Sequence, residues 1–292
     1  MGDYALEVTN LTKKFSDFTL DDISFKLPKG YIMGFVGRNG AGKTTTINLI
    51  TSLYHKDAGE VRIDGNRAED DKVLYKESIG YIGDESYFHE AFKIKDIVSI
   101  QKDFYPTFRE AQYMQYIEQW ELPTDKKIGE FSKGMKVKLM FAGVLARDTR
   151  ILLLDEATSG LDPITRDEVL VMLQKYIEDG ERSVLFSTHI LEDLEKIADY
   201  VFFIEKGREV FCDYKDQIME AYRMVKGGTD ELTSELEKEI IGLQKSSVGF
   251  QGIVSREVGD TIGDKFLVEQ PAINDIIVAF QKNMGGNHTW VQ

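Results

Sequence analysis

Apolar residues in this chain change their spacing twice, and those changes predict its architecture. Leu6 and Val8 alternate with polar residues, as do Ile23, Phe25 and Leu27, which predicts strands with one covered face. Pro28-Lys29-Gly30 then turns the chain into Ile32-Met33-Gly34-Phe35-Val36, an apolar run expected of a buried strand. Gly59–Gly65 reads as a strand ended by a turn, and Ile79–Ile82 as another short strand. Over about 88–150 the spacing becomes helical, carried by Ile94, Ile97, Val98 and Ile100 and then by Met114, Ile117 and Trp120. Pro106 and Pro123 punctuate that stretch, and a third helix is predicted from Gly134 to Ala146. Strand and helix alternate again afterwards. Ile151–Leu154 predicts a strand, Ile164–Ile177 a helix with Val169, Leu173 and Ile177 on one side, and Ser183–Ser187 and Tyr200–Glu205 further strands. Past about residue 226 the expectations are a charged helix from Glu231 to Gln244, strands at 250–254 and 266–268, and a helix from Pro271 to Lys282. The pattern is that of an α/β core over 1–225, interrupted by a helical insertion at about 88–150, with an extension over 226–292.

The junction between the buried strand 32–36 and the apolar stretch Ile47–Ile50 carries the first chemistry. It reads Gly37-Arg38-Asn39-Gly40-Ala41-Gly42-Lys43-Thr44-Thr45, the G-x-x-x-x-G-K-T spacing of a phosphate-binding P-loop. Glycines at 37, 40 and 42 allow torsions and close approaches that a β-carbon obstructs. Backbone amides then turn toward phosphate oxygens, aided by the positive end of the following helix. Lys43 brings a charge to the β- and γ-phosphates, and the Thr44 hydroxyl is placed to ligate Mg²⁺.

Composition narrows the partners. With 292 residues, 42% hydrophobic and 29% charged, the chain is long and apolar enough for a substantial core. A net charge of -14 argues against nucleic acid or an anionic membrane surface as the main partner. The single cysteine, Cys212, excludes an intrachain disulfide and suits a reducing cytoplasm. Met1-Gly2-Asp3-Tyr4-Ala5-Leu6-Glu7 lacks the basic and apolar regions of a signal peptide, and no apolar run approaches a membrane span. Work at a membrane therefore requires another chain to supply the span.

Asp155-Glu156 directly follow the strand 151–154. A carboxylate at the carboxyl end of a parallel strand near a P-loop suits Asp155 to the outer side of Mg²⁺, and Glu156 to accepting a proton from attacking water. The plainer alternative is an exposed acidic pair capping the next helix. The segment continues Ala157-Thr158-Ser159-Gly160-Leu161-Asp162, and Ser187-Thr188-His189 follows another strand. D-E-A-T-S-G-L-D after a P-loop, with S-T-H beyond, resembles the ATPase subunit of an ABC transporter over about residues 4–225. Phe131-Ser132-Lys133-Gly134-Met135 stands where that family has its L-S-G-G-Q signature. Among such subunits the chain looks most similar to bacterial type 2 exporters of peptides and antimicrobials, including exporters of phenol-soluble modulins.

That resemblance implies an ABC-type P-loop NTPase core with an N-terminal antiparallel β subdomain, the helical subdomain at 88–150, and a small C-terminal α+β extension serving dimerisation or regulation. It implies ATP and Mg²⁺ as cofactors. By position, Phe15 stacks on adenine, and Ser132, Gly134 and Met135 face the γ-phosphate of ATP held by a second cassette. Asp162 bridges the two cassettes, and His189 holds the γ-phosphate and the water. The implied partners are a membrane-spanning permease and a second, identical or different, ATPase subunit. The implied location is the cytoplasmic face of the membrane. Two positions depart from the family. Asp84 stands where a glutamine would contact Mg²⁺, and its shorter reach and charge leave that contact water-mediated or absent. Lys133 replaces the first signature glycine and either adds charge near the γ-phosphate or points to solvent. Tyr87, Phe88 and Phe92 line a docking groove or belong to the helical core. Two further readings stay open: a soluble ABC ATPase acting on ribosomes or DNA, and a nucleotide-gated regulator with little hydrolysis.

Overall fold

A computed structural model describes residues 3–262 and 265–285. Strands β1 (Tyr4–Lys14) and β2 (Thr19–Pro28) form an antiparallel ribbon. Their inward residues Leu6, Val8, Ile23, Phe25 and Leu27 are buried. After β3 (Ile32–Val36) and helix α1 (Lys43–Ile50), β4 (Ala58–Ile63) returns to the free edge of β1 and completes a three-stranded sheet, β2-β1-β4. This is the expected N-terminal antiparallel subdomain.

Helix α2 (Lys72–Glu77), capped by the Asp71 carboxylate, leads into β5 (Ile79–Gly83). The helical insertion follows as α3 (Ile94–Phe104), α4 (Glu110–Gln119) and α5 (Lys133–Leu145). Ile94, Ile97, Tyr113, Ile117, Leu139 and Ala142 make its core, and the edges of Phe88 and Phe92 close onto it. Both rings thus belong at least partly to the helical core, whereas Tyr87 is exposed and packs on Phe88 at 4.6 Å. Then come β6 (Ile151–Asp155), α6 (Pro163–Ile177), β7 (Ser183–Ser187), α7 (Leu191–Ile197), β8 (Tyr200–Glu205) and β9 (Arg208–Tyr214). The large sheet runs β5-β6-β7-β3-β8-β9, with β5, β6, β7 and β3 parallel. Every residue of β3, β6, β7 and β8 is buried, the apolar centres of the strands on both faces and the polar ends of β6, β7 and β8 with them.

This order places the carboxyl end of β3, which feeds the P-loop, beside that of β7, and β7 beside β6. Motifs far apart in sequence therefore meet along one edge of one sheet.

The chain separates into two compact units, residues 1–190 with 202–212, and 191–201 with 213–292. In the second, α8 (Lys215–Ala221) precedes β10 (Tyr222–Gly227), α9 (Ser234–Glu239), β11 (Ile241–Lys245), β12 (Phe250–Ser255), α10 (Arg256–Thr261), β13 (Leu267–Glu269) and α11 (Ile273–Gly285). The sheet order β11-β12-β10-β13, antiparallel throughout, with the β-α-β-β-α-β succession, is a ferredoxin-like split arrangement. The expected charged helix over 231–244 is corrected here. Only Ser234–Glu239 is helical, capped by Thr233, and the chain then turns into β11. Gly242 has φ +65°, and a β-carbon there would stand 2.4 Å from the Ala279 backbone, so close packing against α11 overrides the local helical pattern. Residues 286–292, assigned to the extension, lie outside the described residues, as do Met1 and Gly2. Among the described residues no helix is long and apolar enough to cross a membrane.

Candidate functional site

The P-loop is shaped from beneath by β8. A β-carbon on Gly37 would lie 2.4 Å from the Ile204 carbonyl oxygen, so only glycine lets the loop descend this far. Gly42 is the N-cap of α1 at φ +117°, and no side chain caps the helix. The first-turn amides of an eight-residue helix thus remain open to an anion. The Lys43 side chain is 6% exposed, and its ammonium donates to the carbonyls of Gly37 at 2.8 Å and Arg38 at 3.4 Å. Thr44 is exposed at the mouth, while Thr46 donates back to Gly42.

Opposite stand the ends of β6 and β7, where Asp155 pairs in register with Ser187. The Ser187 hydroxyl donates to the buried Asp155 carboxylate at 2.7 Å and accepts from the Glu156 amide at 3.2 Å. That amide is shared with the Ser187 carbonyl, also at 3.2 Å. These bonds hold Glu156 at φ +55°, a left-handed conformation that a non-glycine residue adopts at a cost of about 1–2 kcal/mol. The result is a carboxylate spanned by two partners. One oxygen lies 3.4 Å from the Lys43 ammonium and the other 2.5 Å from His189 Nδ1. Because an ionised carboxylate only accepts, the imidazole presents Nδ1–H to Glu156.

Asn39, Gly40, Gly42, Lys43, Thr44 and Thr45 face Asp84, Glu156 and His189 across a cleft of about 740 Å³. Asp155 lies behind it, on Ser187. Phe15 does not border the cleft. It is 41% exposed and packs against Phe18 and Tyr54, whereas Asp17 and Phe18 reach the cleft wall. Ser132 caps α5, accepting from the Met135 amide at 3.2 Å, and Gly134 lies close against Thr165 of α6. Asp162 caps α6, accepting from the Ile164 and Thr165 amides at 3.1 Å. Hydrogen bonds from the Thr165 side chain and these amides hold its carboxyl below the usual range. Asp84 is paired with Lys133. Sequence reasoning passed over Asp17, Phe18, Ser159 and the bracing role of Ser187. Ser187, as the first residue of S-T-H, and Ser159, inside D-E-A-T-S-G-L-D, carried a signal; Asp17 and Phe18 carried none. Ser187→Ala should slow turnover about 10- to 100-fold with little change in nucleotide affinity, measured by steady-state hydrolysis beside equilibrium binding. An unchanged rate would show that Asp155 and Glu156 need no such brace.

Oxygen donors are what Mg²⁺ prefers, and it is normally held by one or two protein groups with phosphate oxygens and waters. Thr44 and Asp155 offer such a set. Among the described residues no group of three or more His, Cys, Asp or Glu side chains is placed to hold a metal ion.

The family model described as "ABC transporter" matches residues 20–159. Bacitracin transport ATP-binding protein BcrA of Bacillus licheniformis is 31% identical, covering 70% of this chain and 67% of that protein. The chain belongs to the ABC transporter family. It is an ATP-binding subunit with ATPase activity. ABC transporter ATP-binding protein YtrB of Bacillus subtilis (strain 168) is 29% identical over 98% of this chain and 100% of its own length, so the likeness continues through the second compact unit. A solved structure described as "Structure of ATP binding subunit of ABC transporter" superposes with a TM-score of 0.67 at 27% identity, covering 73% of this subunit and 91% of that chain. The ABC ATPase fold expected from the motifs is thereby shown.

Proposed function

We propose that this ATP-binding subunit powers export of a peptide or antimicrobial through a separate membrane-spanning permease at the cytoplasmic face of the membrane. The observation that carries the hydrolytic part is the Glu156 carboxylate, held between Lys43 and His189 at the mouth of the P-loop. Residues 37–45 cradle the triphosphate. Thr44 and Asp155 would hold Mg²⁺, with Asp84 on the metal side, and the ion would supply charge neutralisation at the phosphates. Glu156 takes a proton from water, whose oxygen bonds to the γ-phosphorus as the bond to the bridging oxygen breaks. The products are ADP and phosphate. His189 orients the γ-phosphate and the water, and adenine leaves the cleft past Phe18 to stack on Phe15, whose ring lies 6.3 Å from that of Phe18.

Two cassettes close head-to-tail in this reading. Ser132, Gly134 and Met135, at the positive end of the 13-residue helix α5, meet the γ-phosphate on the other cassette, and Asp162 lies at the seam. Loss of the γ-phosphate removes the bridge and opens the pair. Residues 226–292 contribute to dimerisation or regulation. The relative named for bacitracin transport supports the substrate class, and the -14 net charge disfavours nucleic acid. The subunit recovered from detergent-solubilised membranes should bring one polytopic chain with it. Recovery with ribosomes or DNA instead would replace this reading with that of a soluble ABC ATPase.

A further inference from the structure

Two of the positions where the chain departs from its family's pattern touch each other. Asp84 is the first residue past β5 and borders the nucleotide cleft with Thr44 and Glu156. Lys133 is the first residue of α5, and its ammonium is paired with Asp84 Oδ1 across 49 residues of sequence. The lysine reaches it past Gly160, where a β-carbon would stand 3.5 Å from the ammonium. The pair also borders a second cleft of about 390 Å³, together with Lys136, Val137 and Met140. Asp84 alone borders both clefts, and Lys133 holds it from the side of the second. An aspartate is one methylene shorter than the usual glutamine, and its Oδ1 is engaged by the Lys133 ammonium.

We propose that Lys133 is a positioning residue that competes with Mg²⁺ for Asp84 and so sets the Mg²⁺ level at which nucleotide is held. The proposal rests on the reading that puts Asp84 on the metal side. In the family pattern a neutral glutamine needs no counter-charge. An aspartate there adds a negative charge beside Asp155 and Glu156, and the lysine at 133 neutralises it. Metal entry and the ion pair then draw on one carboxylate. Asp84 and Lys133 are 51% and 38% exposed, so the pair is weak and the expected shift is about two- to fivefold. A shift of that size tunes the site without blocking it.

The test is equilibrium binding of a fluorescent ATP analogue to the full chain at nanomolar protein, with size exclusion confirming a single-chain mass, while free Mg²⁺ is raised. Lys133→Met should lower the Mg²⁺ needed for half-maximal binding about two- to fivefold, and Lys133→Arg should stay near the parent. Asp84→Asn should raise the Mg²⁺ requirement, and in that background Lys133→Met should have no further effect. In EDTA the variants should bind alike, and added salt should shrink the Lys133→Met shift. A Lys133→Met shift of equal size in both backgrounds, or none in either, overturns the inference while an Asp84→Asn shift preserves the metal-side reading. An Asp84→Asn profile identical to the parent overturns both. Thermal melting confirms that each variant is folded.

Discussion

Replacing Glu156 with glutamine is expected to slow ATP turnover by about 10²- to 10⁴-fold while nucleotide binding survives. Glutamine has the same length and number of heavy atoms, and it carries an acceptor for the His189 Nδ1–H, so the left-handed turn at 156 is undisturbed. What disappears is the negative charge that receives the water's proton. At about 1.36 kcal/mol per tenfold, the loss corresponds to about 3–5 kcal/mol of transition-state stabilisation. Binding should hold or tighten slightly, because Lys43, 3.4 Å from the carboxylate in the parent, no longer shares its charge with an anion. If the cassettes close as proposed, Mg²⁺ and ATP should then trap them as a pair, seen as a doubling of mass in size exclusion. The parent's turnover persisting in Glu156→Gln would remove Glu156 as the base. Loss of hydrolysis without pairing would remove only the closure.

The P-loop was legible because its chemistry is local: strand, glycines, lysine and hydroxyl follow one another, and the spacing alone specifies the turn. Asp155, Glu156 and His189 were legible for a related reason. Each sits at or just past the end of an apolar strand, and in a parallel sheet those ends share one edge. That β6 and β7 are neighbours depends on strand order, which no local pattern encodes, so the Ser187 brace was not apparent. The pairing of Asp84 with Lys133 was out of reach for the same reason: the two lie on separate segments that meet only in three dimensions. Phe15 and Phe18 show a finer limit. Both flank one turn, with the Phe15 amide donating to the Phe18 carbonyl at 2.8 Å, and only the folded turn shows which ring borders the cleft. In the second unit the failure was of period. Glu231–Gln244 is rich in charges at helical spacing, but Ile240, Gly242 and Leu243 are claimed by sheet and helix packing, and tertiary contacts outweigh a weak local preference.

Lys43→Met is expected to weaken ATP binding about 10- to 150-fold, the worth of a charged hydrogen bond of about 1.5–3 kcal/mol. Methionine fills the space of the lysine stem, so the loss is of charge rather than volume. Some stability goes as well, because the ammonium donates to the Gly37 and Arg38 carbonyls, and the Gly37 oxygen is buried and left without that donor. A fall of a few degrees in melting temperature is the expected size. Two measurements separate these effects. Titration well below the melting temperature reports binding by folded protein alone, and inorganic tripolyphosphate reports the phosphate contact without the base. If Lys43 acts on phosphate, both ligands weaken by the same factor; if it only props the loop, the adenine-bearing ligand retains more of its affinity through the Phe15–Phe18 corner. Arginine should not substitute. Its planar guanidinium is bulkier than an ammonium that is 6% exposed and seated on two carbonyls, so Lys43→Arg should bind ATP no better than Lys43→Met. Recovery of near-parent binding in Lys43→Arg would mean that positive charge alone suffices. The close seat of the loop on Ile204 would then not be what shapes this site.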